Sequence, residues 1–344
     1  MSSTPSQPGQ PAESTTLLSV QDLQVEYRTR RGAVKAVDHV SFDVSKNEVF
    51  GLAGESGCGK STAAHAIIRI LKPPAYITGG KVMFMGHDVR QMNDMELRRF
   101  RWRHVAIVFQ SAMNALNPVL SVGNQIKDVL RAHTNMKPDE THERALELLR
   151  VVGIDTKRLG SYPHQLSGGM RQRAVIAIAL ALNPEMVIMD EPTTALDVVV
   201  QKQILQEIRQ LKDEFGFSIL FITHDLSLLV EFSDRIGIMY AGELVETAPS
   251  QEIFNSPRHP YTHRLMNSFP TIWGARQELL GIPGSPPDLI TPPSGCRFHP
   301  RCELALADGT CKQVRPMLID VSSKHRAACH LVEQQLAVQK ETVP

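Results

Sequence analysis

Two hydrophobic patterns alternate along the chain from about residue 17 onwards. The runs LLSVQDLQVEY at 17–27 and AVDHVSFDV at 36–44 have the period of strands. The stretch EVFGLAGESGCGKSTAAHAIIRIL, at 48–71, predicts a strand, a glycine-rich loop and a helix. Such alternation is typical of an α/β domain, here with an antiparallel β element at its front.

The strongest helical pattern lies at 200–216, and Gly216 is placed to end that helix. Its apolar positions share one helix face: Val200, Ile204, Leu205, Ile208, Leu211 and Phe215. A second helix is predicted for THERALELLRVVG at 141–153, and FSILFITHD at 217–225 predicts another buried strand.

Composition and charge narrow the function classes. The 344 residues are 42% hydrophobic, enough for a sizeable core, and 37 Lys and Arg nearly balance 36 Asp and Glu. A nucleic acid partner is therefore not expected. Residues 1–16 are polar and predict a disordered tail without a secretory signal, and no apolar run approaches the roughly 20 residues of a membrane span. We expect a soluble cytoplasmic chain.

The stretch GESGCGKS, at 54–61, matches the phosphate-binding loop pattern between a strand and a helix. Its glycines let backbone N–H groups curl around phosphate oxygens, Lys60 reaches the β- and γ-phosphates, and Ser61 ligates Mg²⁺. The predicted nucleotide contacts here are Gly54, Ser56, Gly57, Cys58, Gly59, Lys60, Ser61 and Thr62.

Polar residues follow three other predicted strands. Asp190 and Glu191 end the run MVIMDE, where Asp190 would hold Mg²⁺ through water and Glu191 would polarise the attacking water. Gln110 and His224 each have an ordinary structural explanation when taken singly. Together at strand ends they are predicted to flank the γ-phosphate, with Gln110 also a Mg²⁺ ligand.

LSGGMRQR, at 166–173, predicts a helix that is capped by Ser167 and continues to about Leu182. A well-capped core helix is the simple interpretation. However, Gly168 and Gly169 each weaken the first turn by roughly 1 kcal/mol relative to alanine. An anion site at this helix end explains them better, and it implies a second nucleotide.

Four cysteines, Cys296, Cys302, Cys311 and Cys329, lie in a Pro- and Gly-rich segment after about residue 255. The segment is too small to be stabilised by a hydrophobic core of its own, so we expect a metal or another cross-link to stabilise it. We also expect the segment to lie away from the phosphate loop. Zinc sites usually begin with a C-x-x-C pair, and this segment has none, so zinc is possible but not favoured. Four thiolates also suit an iron-sulfur cluster. If the metal is zinc, His299, His325 or His330 could replace a cysteine; four unligated cysteines are the third alternative.

The motifs GESGCGKS, FQ, LSGGM, VIMDE, TTALD and THD occur in an order that resembles the ABC-transporter ATPase domain. Met170 departs from the usual glutamine. FQSAMNALNP, HPYT and GCRFHPRC are similar to the ATP-binding subunits of the oligopeptide/dipeptide permease branch, and PPAYITGG at 73–80 favours the first of its two ATPase subunits.

The resemblance implies a P-loop NTPase fold with an antiparallel β subdomain, a helical subdomain at about 111–160 and a small cysteine-containing domain. The implied boundaries are 17–255 for the ATPase domain, 256–335 for the C-terminal domain and 336–344 for a tail. Ser167, Gly168, Gly169 and Met170 would close over ATP held by a partner subunit. Asp197 would link the two sites or cap the helix from Val198, and Tyr27 would stack on adenine or be an ordinary strand aromatic.

The implied function is that of an ATP-hydrolysing subunit that powers di- or oligopeptide import, with nickel or another small solute as the alternative cargo. Implied partners are a homologous second ATPase subunit, two transmembrane permease subunits and, indirectly, an extracytoplasmic peptide-binding protein. The subunit would lie at the cytoplasmic face of the membrane. Implied cofactors are ATP, Mg²⁺ and a 4Fe-4S cluster, or Zn²⁺ instead of the cluster.

Two rival classes are disfavoured by the sequence. ABC ATPases of DNA repair or translation usually carry two cassettes or a long coiled-coil insertion, and neither is present. A regulatory iron-sulfur protein with a vestigial nucleotide site would not need Glu191 or an intact LSGGM.

Overall fold

The computed structural model describes residues 16–110, 115–192, 197–268 and 281–341. The strands are β1 Thr16–Thr29, β2 Gly32–Ser45, β3 Val49–Ala53, β4 Ala75–Phe84, β5 His87–Asp88, β6 Val105–Val108, β7 Met186–Asp190, β8 Ser218–Ile222, β9 Arg235–Tyr240, β10 Glu243–Pro249, β11 Ile319–Ser322 and β12 His325–Ala327.

The α-helices of the same ranges are α1 Lys60–Ile67, α2 Asp94–Arg103, α3 Val122–His133, α4 Pro138–Val151, α5 Gly168–Ala179, α6 Val198–Phe215, α7 Leu226–Phe232, α8 Ser250–Asn255, α9 Pro260–Asn267, α10 Thr310–Gln313 and α11 His330–Glu341. Of the helices so described, none is long and apolar enough to cross a bilayer.

The predicted antiparallel element at the front of the chain is confirmed. It is a four-stranded sheet of order β2-β1-β4-β5, in which β1 pairs antiparallel with both β2 and β4. Its first residue, Thr16, pairs with Ser45, so the expectation that the disordered tail includes residue 16 is wrong. Residues 1–15 of that predicted tail lie outside the described residues.

The central sheet has eight strands in the order β11-β12-β10-β9-β3-β8-β7-β6. Strands β9, β3, β8, β7 and β6 are parallel, and β10, β12 and β11 extend them antiparallel. Every residue of β3, β7 and β8 is buried, which is why each is a continuous apolar run in the sequence. The carboxyl ends of these parallel strands meet at one edge of the sheet, where ligands of open α/β sheets bind.

The helices agree with their sequence patterns except near their ends. The predicted helix at 141–153 is confirmed as α4. In α6, four of the predicted face residues are buried (Ile204, Leu205, Ile208 and Leu211), and Gly216 ends the helix with φ +71°. Phe215, in the last turn of the helix, is 37% exposed, so the apolar face is not buried along its whole length. Helix α5 ends at Ala179, three residues before the predicted end.

The C-terminal segment, residues 256–335, packs directly on the ATPase core. Strand β12 pairs with β10 of the central sheet, so part of this segment extends that sheet. Phe298 is buried against Tyr240 and Tyr261, with ring centroids 5.2 and 5.4 Å away. Arg297 contacts Asp38 and Glu243. The segment thus obtains its hydrophobic contacts from the core, and the expectation of a separate small domain is not confirmed.

Candidate functional site

The phosphate-binding loop runs from the end of β3 into α1, and two of its positions admit only glycine. A Cβ on Gly54 would lie 2.1 Å from the carbonyl oxygen of Met239, and one on Gly59 would lie 2.1 Å from that of Ala36. Both glycines also have a left-handed φ, +146° and +106°. The predicted glycine loop is therefore a tightly packed turn against neighbouring backbone.

Lys60 and Cys58 lie inside this loop. Lys60 is 6% exposed, and its Nζ donates to the carbonyl oxygens of Gly54 at 2.7 Å and Glu55 at 3.2 Å. Burial raises the pKa of the Cys58 thiol, although the nearby Lys60 ammonium opposes the shift. A buried neutral thiol is unreactive, which agrees with Cys58 being a small loop residue.

The structure brings the predicted Mg²⁺ ligands Ser61 and Asp190 together. Ser61 Oγ donates to Asp190 Oδ1 at 2.8 Å, and Asp190 is 2% exposed at the end of β7. Burial raises the pKa of Asp190, while the Ser61 hydrogen bond and nearby His65 lower it. A hydroxyl and a carboxylate are oxygen ligands of the kind Mg²⁺ prefers, so this pair fits the ion.

His65 is a neighbour of the site that sequence reasoning missed. Its Nε2 lies 3.7 Å from Asp190 Oδ2, and burial lowers the pKa of its imidazole. His65 follows Ser61 by four residues in α1, so the two share a helix face. That spacing was the available signal.

Gln110, Glu191 and His224 lie together, as their positions after β6, β7 and β8 predicted. Gln110 Nε2 donates to Glu191 Oε2 at 2.7 Å, and His224 Nδ1 is 3.3 Å from Glu191 Oε1. Glu191 has φ +47° and donates its backbone N–H to Ile222 O at 2.8 Å. A left-handed glutamate is uncommon and indicates a constrained backbone at this strand end.

Tyr27 lies beside the beginning of α1. Its Oη is 3.2 Å from Thr62 Oγ1, which connects the front sheet with the predicted phosphate contacts. Stacking of Tyr27 on adenine stays a prediction.

Ser167 caps α5, since its side chain accepts from the Met170 N–H at 3.3 Å while remaining exposed. Asp197 caps α6 by accepting from the Val200 N–H at 3.0 Å. The two helix ends are neighbours, because a Cβ on Gly169 would lie 3.3 Å from Val200. Both capping predictions are confirmed, whereas the roles of these residues in a partner's site stay predictions. Of the motif TTALD, residues 193–196 lie outside the described residues.

The four cysteines of the C-terminal segment lie near one another. The Cys296 N–H donates to Cys311 O at 2.9 Å, and burial raises the pKa of the Cys296 thiol to about 12, with further increases from Cys329, Cys311 and Cys302. Within the described ranges, however, no three His, Cys, Asp or Glu side chains are gathered closely enough to hold one metal ion. The donors fit an iron-sulfur cluster in number and kind, but their arrangement does not form a single-ion site.

The histidines suggested as alternative zinc ligands are engaged elsewhere. His325 lies between Glu246 and Glu252, with ring nitrogens 2.7 and 3.0 Å from their carboxylates. His330 Nε2 bonds Val314 O at 2.8 Å, and His299 Nδ1 bonds Cys296 O at 2.8 Å. Replacement of a cysteine by His325 or His330 is therefore not supported, and in the described part of the chain His299 belongs to no group of three possible metal ligands.

The expectation that the C-terminal segment lies away from the phosphate loop is wrong. The Arg301 guanidinium binds both carboxylate oxygens of Glu55, the second residue of that loop. Tyr261 Oη accepts from the Glu55 N–H at 2.9 Å. These contacts join residues far apart in sequence, and no local pattern predicted them.

Comparison with known proteins decides the family. A domain described as "ABC transporter" matches residues 37–194, and one described as "Oligopeptide/dipeptide transporter, C-terminal region" matches residues 245–311. The "Dipeptide transport ATP-binding protein DppD" of Caldanaerobacter subterraneus subsp. tengcongensis is 42% identical over 92% of this chain and 98% of its own length. This chain belongs to the ABC transporter family of ATP-binding proteins.

A second relative and a solved structure support the same family assignment. The "Oligopeptide transport ATP-binding protein OppD" of Bacillus subtilis is 43% identical over 90% of this chain and 87% of its own length. Among solved structures, a dimeric post-hydrolysis ATP-binding cassette bound to ADP and Pi superposes with a TM-score of 0.61. It is 28% identical and covers 68% of this chain and 99% of its own. The ABC ATPase fold and an ATPase activity follow for this member of the family.

Proposed function

We propose that this chain is the ATP-hydrolysing subunit of an ABC importer that drives uptake of dipeptides or oligopeptides through separate permease subunits. The observation that carries the proposal is the joint presence of the ABC domain and the oligopeptide/dipeptide C-terminal region. Its relatives, at 42–44% identity, are named for dipeptide, oligopeptide or peptide transport. No observation favours nickel as the cargo.

The described side chains suit hydrolysis of a phosphoanhydride. Lys60 and the loop N–H groups would bind the phosphates, and Ser61 with Asp190 would hold Mg²⁺, which neutralises developing phosphate charge when bound. Glu191 would accept the proton of the attacking water, and the Gln110 amide keeps that carboxylate oriented through its 2.7 Å hydrogen bond. His224 stands at 3.3 Å on the other oxygen of the same carboxylate, where it would sense the γ-phosphate.

The site would be completed by a second ATPase subunit. Ser167 is exposed at the beginning of α5. The beginning of α6, which Asp197 caps, lies next to it, since a Cβ on Gly169 would be 3.3 Å from Val200. This arrangement suits a closing face that acts on a partner's ATP, and the similar cassette of known structure is dimeric. The importer would include two membrane permease subunits and, indirectly, an extracytoplasmic peptide-binding protein, with this chain peripheral at the cytoplasmic face.

We infer that the four cysteines of the C-terminal segment hold a 4Fe-4S cluster. The support for this proposal is the presence of four cysteines in one segment, two of which are joined by the hydrogen bond from the Cys296 N–H to Cys311 O at 2.9 Å. The thiols are half-buried, which raises the pKa of Cys296, Cys302 and Cys329, so they would have to lose their protons when they bind metal. The cluster would then supply iron-thiolate bonds that stabilise the segment.

Glu191→Gln in the assembled transporter tests the proposed activity. The amide keeps the size of the side chain but cannot accept the proton from water, so ATP binding should persist while hydrolysis falls at least about 100-fold. Hydrolysis and uptake of a radiolabelled dipeptide would be measured in proteoliposomes containing the permease subunits and the binding protein.

Glu185→Gln is the matched control. Glu185 lies immediately before β7 and contacts His104, at the opposite end of the strand from Glu191. The control should hydrolyse ATP and import the dipeptide like the wild type. Wild-type hydrolysis by Glu191→Gln would refute its assigned role, and ATP turnover by the wild-type transporter without dipeptide uptake would refute a dipeptide cargo.

A further inference from the structure

Arg301 is the buried centre of a hydrogen-bond set between the C-terminal segment and the ATPase core. Its side chain is 6% exposed. Nη1 and Nη2 donate to the two oxygens of Glu55 at 2.7 and 3.1 Å, a bidentate pair. Nε donates to Pro283 O at 2.6 Å, and Nη1 also approaches Tyr240 Oη at 3.3 Å. The guanidinium is thereby fixed from both parts of the protein.

Glu55 is fixed through its backbone as well. Its N–H donates to Tyr261 Oη at 2.9 Å, and its carbonyl oxygen accepts from Lys60 Nζ at 3.2 Å. It immediately follows Gly54, whose φ of +146° no side-chain-bearing residue readily adopts. The first turn of the phosphate loop is therefore held by Arg301 and Tyr261, both of them in the C-terminal segment.

A phosphate-binding loop needs such support because its N–H groups must converge on one anion. Groups that converge on an anion do not pair with one another, so they cannot hold the loop in shape by themselves. Within the loop, the Cys58 N–H donates to Glu55 O at 3.2 Å, which again makes Glu55 the residue that anchors the turn. Ordering a loose loop at the moment of binding costs affinity, whereas a loop held in place beforehand avoids that cost. The Arg301 side chain is 6% exposed and that of Glu55 is 24% exposed, so solvent screens the pair only in part, and its bidentate geometry fixes the direction of the loop carboxylate.

We propose that Arg301 is a positioning residue for ATP: through Glu55 it holds the phosphate loop in its binding conformation, so the C-terminal segment sets the ATP affinity of the chain. This inference rests on the ATP site of the proposed function but not on its cargo or on the cluster. Arg301 itself contacts no nucleotide in this scheme, and its effect passes entirely through the Glu55 carboxylate.

The test is a double-mutant cycle on the full chain with Arg301→Gln, Glu55→Gln and the pair, in which ATP affinity is measured calorimetrically with EDTA present to prevent hydrolysis. Each single substitution should weaken ATP binding about tenfold. The double variant should be no weaker than the weaker single variant, because both remove one interaction. Arg301→Lys keeps the positive charge but cannot donate two parallel hydrogen bonds to the carboxylate, so it should retain part of the ATP affinity that Arg301→Gln loses.

Arg264→Gln is the matched control, because Arg264 pairs with Glu303 in the same segment and is removed from the loop. It should bind ATP like the wild type. Thermal midpoints and protection of residues 281–341 from protease distinguish loop positioning from detachment of the segment. Additive losses in the cycle, or wild-type affinity in folded Arg301→Gln, would overturn the inference.

The test also covers a variant that does not fold and a wild-type chain that does not bind ATP. If Arg301→Gln does not fold, Glu55→Gln removes the same pair from the loop side, and its unaltered affinity would overturn the inference. A wild-type chain that binds no ATP would refute the ATP site itself, and with it the positioning role, whereas wild-type binding with an unaffected cycle refutes the positioning role alone.

Discussion

We expect His259 to make the stability of the protein sensitive to mild acid. The residue is 1% exposed, and its Nδ1 accepts from the Tyr261 N–H at 3.0 Å, so the neutral ring carries its proton on Nε2. Nε2 has no hydrogen-bond partner among the described residues. Burial lowers the pKa of His259 to about 4, against the opposing effect of Glu246. Protonation would bury a charge and remove the acceptor that begins α9.

The sign and size follow from linkage. The pKa of His259 in the folded protein lies below that in the unfolded chain, which is about 6.5. The contribution of the neutral His259 to the free energy of unfolding is therefore fully present above pH 6.5 and is lost as the pH falls towards 4. A shift from 6.5 to about 4 corresponds to about 3 kcal/mol in total. By pH 5 about 2 kcal/mol of this is already lost.

His259→Asn isolates this contribution, because its Oδ1 can still accept from the Tyr261 N–H but does not titrate. Guanidinium unfolding of both proteins at pH 8 and pH 5 gives the change in the free energy of unfolding, and the wild type should lose about 2 kcal/mol more than the variant. His164→Asn, a surface histidine beside Tyr162, should retain the wild-type profile. Parallel profiles for wild type and His259→Asn would refute the reasoning.

Two further predictions concern the loop and the cysteines. Gly54→Ala should abolish measurable ATP binding because its Cβ would meet Met239 O at 2.1 Å. Gly57 has φ +79°, but apart from its chain neighbours no atom of the described residues lies within 4 Å of a Cβ placed there, so Gly57→Ala should weaken binding far less; equal losses measured by calorimetry would contradict this. Anaerobically purified protein should contain iron and sulfide in equal amounts, and Cys302→Ser should lose both while Cys58→Ser retains them. Stoichiometric zinc in colourless protein would contradict the cluster.

The edge of the central sheet that carries Asp190, Glu191 and His224 could largely be predicted, because each of these residues lies at the end of an apolar run in the sequence. Apolar runs before Asp190 and His224 identify buried parallel strands, and the carboxyl ends of such strands share an edge. The glycines of the phosphate loop are specified by backbone approach, as the Gly54 contact with Met239 O demonstrates. Each of these features depends on short-range sequence or on a general rule of sheet topology.

The contacts of the C-terminal segment could not be predicted in the same way. Arg301 and Glu55 are 246 positions apart, and Arg297 and Asp38 are 259 apart. A buried arginine in a Pro-rich segment has no periodicity that identifies its partner. The segment was recognisable as too small for a core of its own, but the core around Tyr240, on which its Phe298 packs, is formed only by the tertiary fold.

The stretch CRFHPRC, at 296–302, connects two features that the sequence presented as separate. Its first and last residues are cysteines that we propose as cluster ligands, and its arginines bind the ATPase core, Arg297 at Asp38 and Arg301 at Glu55. Phe298 packs between them on the core. Because Cys302 directly follows Arg301, a movement of the backbone at that cysteine would also displace the guanidinium that is paired with Glu55. If the proposed cluster and the proposed positioning role both hold, the metal state of the segment and the ATP affinity of the chain are thermodynamically linked, and nucleotide binding would change how firmly the cysteines retain the metal.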